Sequence, residues 1–410
     1  MSLINFRINA KVAYVAINIA VGCVGFLKAF VFMTYFNFTE LGIITLLNTT
    51  IMLVSLFQLG LLNGGYRIYS LGNTEENENI NNTINTYFLI VASALLLYVL
   101  SSYVFQFKIN PVYVIIGGFT GITTLSKNWL TNMLIAKSQL RDLNVLNVLT
   151  NGISVLFLLS VPLFGFIGAL TVIVVPPLLF LTIALIKFKE LRPTALSFKI
   201  KHIRFILISG FIPFVAGIFD QVNIQVQNWS IKWVLTEELL GKFYLVPLYI
   251  LLFMLLPKSL NNLFFPKAMK LYNQREYEAL RVHLKKYYIS LFLYLIPAVL
   301  LTLYVMEPMV GWVFPEHLIG VQYVYIILPG MVAVLLSAPI GLIYNASIKL
   351  KPMLLIYAFT VLINSVFIYH FWSTDKFNLE NIAILKSGLG IFILIFYHIS
   401  YMVVKKKIWI

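Results

Sequence analysis

Apolar residues fall in long, nearly unbroken blocks along this chain of 410 residues, and polar positions gather into short runs between them. A helix needs about 20 apolar residues to cross the hydrocarbon core of a bilayer. Blocks of that length occupy 12–36, 41–62, 86–106, 111–136, 144–164, 166–187, 205–229, 243–264, 286–306, 322–347, 353–372 and 381–404. They predict twelve spanning helices with both chain ends on the same side. Strand-like alternation at period two is missing, which argues against an outer-membrane barrel. The fold class that follows is an all-α polytopic membrane protein.

Composition supports the same reading. The chain is 60% hydrophobic and 11% charged, with a mean hydropathy of +0.90, a surface that water alone does not solvate. The net charge of +15 is explained by topology, so no nucleic-acid partner is expected. With a cytoplasmic N-terminus, 22 of the 30 lysines and arginines fall in inside loops. Five (Lys108, Lys232, Lys242, Lys376 and Lys386) fall outside, and three (Lys28, Lys127 and Lys258) fall within spans. That asymmetry predicts N-in and C-in. Cys23 is the lone cysteine, so no intrachain disulfide forms. Arg7 and Lys11 lead into a full-length first span, which is expected to remain as a helix and not be cleaved.

Two inside loops carry most of the basic charge, 187–204 and 265–286. In the second, Tyr277, Leu280 and Leu284 share one helical face, which predicts an interfacial helix lying on the headgroups. The first follows the sixth span and divides the chain into an N-terminal six-helix bundle (1–190), a cytoplasmic linker (191–204) and a C-terminal bundle (205–410). A weak internal repeat supports this division. Thr39-Glu40-Leu41-Gly42 precedes the second span and Glu237-Glu238-Leu239-Leu240-Gly241 the eighth, their glycines 199 positions apart. Both halves start inside, so the repeats are parallel, a layout that puts a substrate path between them.

Charges kept inside spans cost several kcal/mol in hydrocarbon by most estimates and mark functional sites. Lys28 lies two-thirds of the way along the first span, either facing a cavity or snorkelling to the outer headgroups. Lys127 lies toward the inner third of the fourth span, and Lys258 follows Pro257 in the eighth. Arg67, at the inner end of the second span, either anchors the interface or guards a cytoplasmic entrance. Asp220 is the one acid within a predicted span. It can pair with Lys28 or take up a proton, since burial raises a carboxylate pKa, which makes it the candidate ion-coupling residue. Gln221, Asn223, Gln225 and Gln227 follow it, a run of amides suited to a wet cavity that hydrogen-bonds hydroxyls. Prolines within spans, including Pro213, Pro247, Pro297, Pro329, Pro339 and the Pro176-Pro177 pair, free backbone carbonyls and permit bending.

Several short motifs resemble those of the O-antigen and polysaccharide flippases of bacterial inner membranes, in the multidrug/oligosaccharidyl-lipid/polysaccharide exporter superfamily. They are Glu40-Leu41-Gly42, Gly60-Leu61-Leu62-Asn63-Gly64-Gly65-Tyr66-Arg67, Gly210-Phe211-Ile212-Pro213 with Asp220-Gln221, and Leu240-Gly241 through to Phe265-Pro266-Lys267. The resemblance implies a V-shaped pair of six-helix bundles, alternating access and no ATP hydrolysis. It implies a polyprenyl-diphosphate oligosaccharide as substrate, with lysine or arginine meeting the phosphates and a proton or sodium ion as possible coupling partner. Contact with polysaccharide assembly enzymes is a further expectation.

No phosphate-binding loop of the G-x-x-x-x-G-K-[ST] type is present, and the five histidines are scattered without metal-ligand spacing. Neither cofactor nor metal is expected, and no nucleophile constellation suggests an enzyme. Two alternatives remain at this level. A multidrug cation antiporter of the same superfamily should favour an acidic or aromatic cavity, whereas the span charges here are mostly cationic. A membrane polysaccharide polymerase or glycosyltransferase should carry large outside loops, whereas those here are short.

Overall fold

The computed structural model describes residues 10–69, 74–104, 113–197, 200–347 and 351–408. In chain order the helices are α1 (Ala10–Tyr35), α2 (Phe38–Leu56), α3 (Leu61–Tyr69), α4 (Thr74–Val104) and α5 (Gly118–Ala136). Next come α6 (Leu140–Phe157), α7 (Ser160–Phe164), α8 (Phe166–Lys187), α9 (Ile200–Val234), α10 (Glu237–Lys242) and α11 (Leu245–Asn273). The last are α12 (Tyr277–Tyr304), α13 (Met306–Val313), α14 (Leu318–Ala346), α15 (Lys351–Ser373) and α16 (Leu379–Ile408). No strand occurs among the described residues.

Among the described residues each predicted span overlaps a helix, with 41–62 divided between α2 and α3 and 144–164 between α6 and α7. Among the described residues, eight helical segments are long and apolar enough to cross a membrane. They lie on α2, α4, α8, α11, α12, α14, α15 and α16. The four predicted spans outside this group fall on α1, α5, α6 and α9. Three of these four carry the candidate residues Lys28, Lys127 and Asp220 to Gln227.

Contacts divide the chain into two compact units, 1–36 with 46–215, and 37–45 with 216–410. The division falls within α9. Residues 191–197, the start of the expected linker, are held by local packing. Asn81 Nδ2 donates to the Leu191 carbonyl at 3.0 Å, Asn82 Nδ2 to Thr194 Oγ1 at 3.0 Å, and the Ser197 amide to Thr86 Oγ1 at 2.9 Å. A polar patch on α4 thus holds the segment in place. From Ile200 onward the chain is one continuous 35-residue helix.

The first unit is built around Trp129 of α5, which is fully buried. Its indole N–H donates to Asn81 Oδ1 at 2.9 Å, and Tyr69 meets the ring edge-on. Leu125, Met133, Ile84, Phe180 and Ile206 complete that core. The second unit has its own core of Leu280, Leu284, Tyr287, Ile340, Tyr344 and Tyr397. Leu280 and Leu284 had been expected to lie on the membrane surface. They are buried instead, because α11 continues to Asn273, the chain reverses through Arg275 at φ +60°, and α12 starts at Tyr277. The 265–286 segment is a helical hairpin, not an interfacial helix.

The repeated motifs mark close helix approaches. A Cβ on Gly42 would collide with the Glu237 carbonyl, and one on Gly241 with the Phe38 carbonyl. The two copies of the repeat therefore pack against one another inside the second unit, where only glycine lets the backbones meet. Both copies open with a helix cap. Asn37 and Glu40 exchange side-chain to backbone hydrogen bonds at 2.9 and 3.1 Å, and Thr236 Oγ1 accepts from the Leu239 amide at 3.2 Å.

Candidate functional site

In the first unit the two lysines within spans converge on α8. Lys28, half-buried on α1, places Nζ 3.5 Å from the Val172 carbonyl. That carbonyl is available for a reason written in the sequence. Its helical partner would be the N–H of residue 176, and Pro176 has none. Lys127 of α5 holds its ammonium 5.3 Å from the centre of the Phe180 ring, two turns further along α8. Among the described residues no carboxylate forms an ion pair with either lysine. The first unit thus holds a pair of cations supported by a freed carbonyl and an aromatic face, not by acids.

The second unit organises polar groups differently. Asn223 Nδ2 of α9 donates to Thr360 Oγ1 at 3.1 Å, and Asn364 Nδ2 of α15 donates back to the Asn223 carbonyl at 3.2 Å. Gln227 Nε2 donates to Asn364 Oδ1 at 3.2 Å, while Gln227 Oε1 accepts from Lys386 Nζ of α16 at 3.1 Å. Asn364 and Thr360 are fully buried and Gln227 is 3% exposed. A polar ladder therefore ties α9, α15 and α16 together within the apolar phase, where such bonds act as interhelical glue. It uses Asn223 and Gln227, two of the amides assigned from sequence to a sugar-binding cavity, to join helices.

The remaining candidates are placed as follows. Gln221 and Gln225 lie on α9, and Gln225 is 5% exposed. Arg67 is exposed in the last turn of α3 and Lys258 is exposed on α11. Neither joins the lysine pair or the ladder. The backbone of Asp220 lies in α9, while its side chain is outside those described, as is any pairing with Lys28. Lys386 was missed as a site residue. A charge at the sixth position of the last block read as part of an outside loop, but the helix already begins at Leu379, so this lysine sits on the spanning segment 379–403. No cluster of three or more potential metal ligands occurs among the described residues.

This architecture defines a class before any relative is considered: an all-helical, multi-pass membrane protein with charged and amide side chains inside its spans. Solved structures extend the description. The chain is similar to the lipid II flippase MurJ in its inward closed conformation, with 16% identity and a TM-score of 0.74 over 97% of this chain and 89% of that one. It is also similar to an inward-facing multidrug resistance MATE family transporter of the MOP superfamily, with 12% identity and a TM-score of 0.72 over 97% and 98% of the two chains. A third likeness is a MOP superfamily transporter from Pyrococcus furiosus whose binding pocket has reverse polarity, with 11% identity and a TM-score of 0.61 over 97% and 95%. No protein-family model matches the sequence. No curated protein matches it either. The chain has the fold of the MOP superfamily transporters, and that fold spans nearly its entire length.

Proposed function

We propose that this chain is a flippase that carries a polyprenyl-diphosphate-linked oligosaccharide, such as an O-antigen or other polysaccharide repeat unit, from the cytoplasmic to the outer leaflet of the bacterial inner membrane. The observation that carries the reading is the Lys28–Lys127 pair. Two cations inside spans, both set against α8 and without a described carboxylate, suit an anionic group as the missing partner, and a diphosphate supplies one. The likeness to a lipid II flippase supports the same substrate class. In this reading N- and C-termini are cytoplasmic, Arg67 and Lys258 meet the headgroup on its way, and Asp220 couples transport to protons or sodium. Polysaccharide assembly enzymes would supply and consume the substrate. The chain moves its substrate and does not transform it.

MATE multidrug transporters share the fold, so cation export is the reading to exclude. Reconstitution into liposomes separates the two. Fluorescent polyprenyl-diphosphate oligosaccharide is placed in one leaflet and its arrival in the other is followed by a membrane-impermeant quencher. The flippase reading predicts transfer well above protein-free liposomes. Transfer at the background rate, together with efflux of a cationic dye, would establish the antiporter instead.

A further inference from the structure

The amides of α9 divide by their position around the helix. Gln221, Gln225, Trp229 and Trp233 recur every four residues and form one stripe. Asn223 and Gln227 are two residues off that register, nearly opposite, and they are occupied by Thr360, Asn364 and Lys386. Both of their amide nitrogens donate, although Asn223 Oδ1 has no partner among the described residues; on the stripe more is left over. Neither Oε1 nor Nε2 of Gln225 has a hydrogen-bond partner among the described residues, although the residue is only 5% exposed. The buried Oε1 of Gln221 has none either. Buried amides left without partners are uncommon and call for an explanation. One turn further along, the rings of Trp229 and Trp233 lie 5.6 Å apart at 36°, and Trp233 is 76% exposed.

An amide with free donor and acceptor beside flat indole faces is the chemistry that recognises a sugar. The amide serves hydroxyl or acetamido groups, and the electron-rich ring face meets the C–H face of a pyranose. We infer that the Gln221–Gln225–Trp229–Trp233 stripe of α9 is the saccharide-binding platform of this protein, and that Gln227, with both amide atoms occupied, is excluded from that role. The inference deepens the flippase reading and rests on it for the claim that the sugar is lipid-linked.

The test uses the full-length protein in lipid nanodiscs. Two ligands are compared: polyprenyl diphosphate bearing di-N-acetylchitobiose, and the same lipid without sugar. Free chitobiose, cellobiose and maltose are titrated separately to millimolar concentration while tryptophan emission is recorded. Gln225→Leu and Trp229→Leu are each expected to weaken the sugar-bearing lipid about tenfold while leaving the sugar-free lipid unchanged. Gln225→Leu is also expected to raise the unfolding temperature, because it removes a buried amide that no described side chain satisfies. The stripe is refuted if both lipids weaken equally, if neither changes, or if Gln225→Leu lowers the unfolding temperature. A wild-type protein that ignores both lipids but shifts its emission with a free saccharide overturns the flippase reading and keeps the stripe. One that binds the sugar-free lipid just as tightly, with no response to any saccharide, overturns the stripe alone. Silence toward every probe overturns both.

Discussion

The two units handle buried polarity in opposite ways. In the first, Lys28 and Lys127 rest on a proline-freed carbonyl and a phenyl ring. In the second, Asn223, Gln227, Thr360, Asn364 and Lys386 hydrogen-bond to one another across three helices. The first arrangement leaves charge available and gives up stability to do so, and the second uses polar groups to hold helices in register. Polar residues inside a membrane thus belong to two kinds, and partner geometry separates them where residue type does not.

The largest expected effect comes from removing the cations. Lys28→Met combined with Lys127→Met should abolish flipping in liposomes while raising the stability of the protein in detergent by about 1–3 kcal/mol, since a charge within hydrocarbon is costly. Loss of stability in the double variant would show that the lysines act as structural glue, like the second unit's ladder. Next is Asp220→Asn, which mimics the protonated carboxyl. Flipping should drop several-fold and lose its response to an imposed pH gradient, whereas the wild-type rate should follow the gradient. An unchanged response in the variant removes Asp220 from coupling.

On the ladder side the effects are on stability. Asn364→Leu strands the Gln227 amide and the Asn223 carbonyl, and should cost about 1–3 kcal/mol in thermal or denaturant unfolding. Transport per folded molecule should stay near the wild-type level. Lys386→Met should have a smaller effect, about 1 kcal/mol or less, because it removes one hydrogen bond to Gln227. If Lys386→Met instead silenced flipping at full stability, the second unit would also contribute a transport cation and the contrast between the units would fail.

The spans were legible because twenty-residue apolar runs are a strong, local signal. The lysines of the first unit were legible for the same reason, being charges within such runs. The support of Lys28 was only half visible. Pro176 was evident as a residue that frees a carbonyl, but its meeting with a side chain 144 positions away was not. The amide run on α9 was clear, yet its division into two faces depended on Thr360 and Asn364, each 137 positions beyond its α9 partner. The amphipathic face at Leu280 and Leu284 was read correctly as apolar and assigned to the wrong surface. Periodicity reports that a stripe must be covered but not whether lipid or protein covers it. The tethering of Leu191 and Thr194 by Asn81 and Asn82 is a tertiary effect with no local sequence signature.

The central claim is that the lysines of the first unit receive the diphosphate. The most direct measurement is the affinity of purified protein for polyprenyl diphosphate and for polyprenyl monophosphate, in wild type, Lys28→Arg and Lys28→Met. The account predicts that wild type and Lys28→Arg prefer the diphosphate about tenfold, and that Lys28→Met loses this preference while remaining folded. Equal preference for the diphosphate in Lys28→Met and wild type would contradict it.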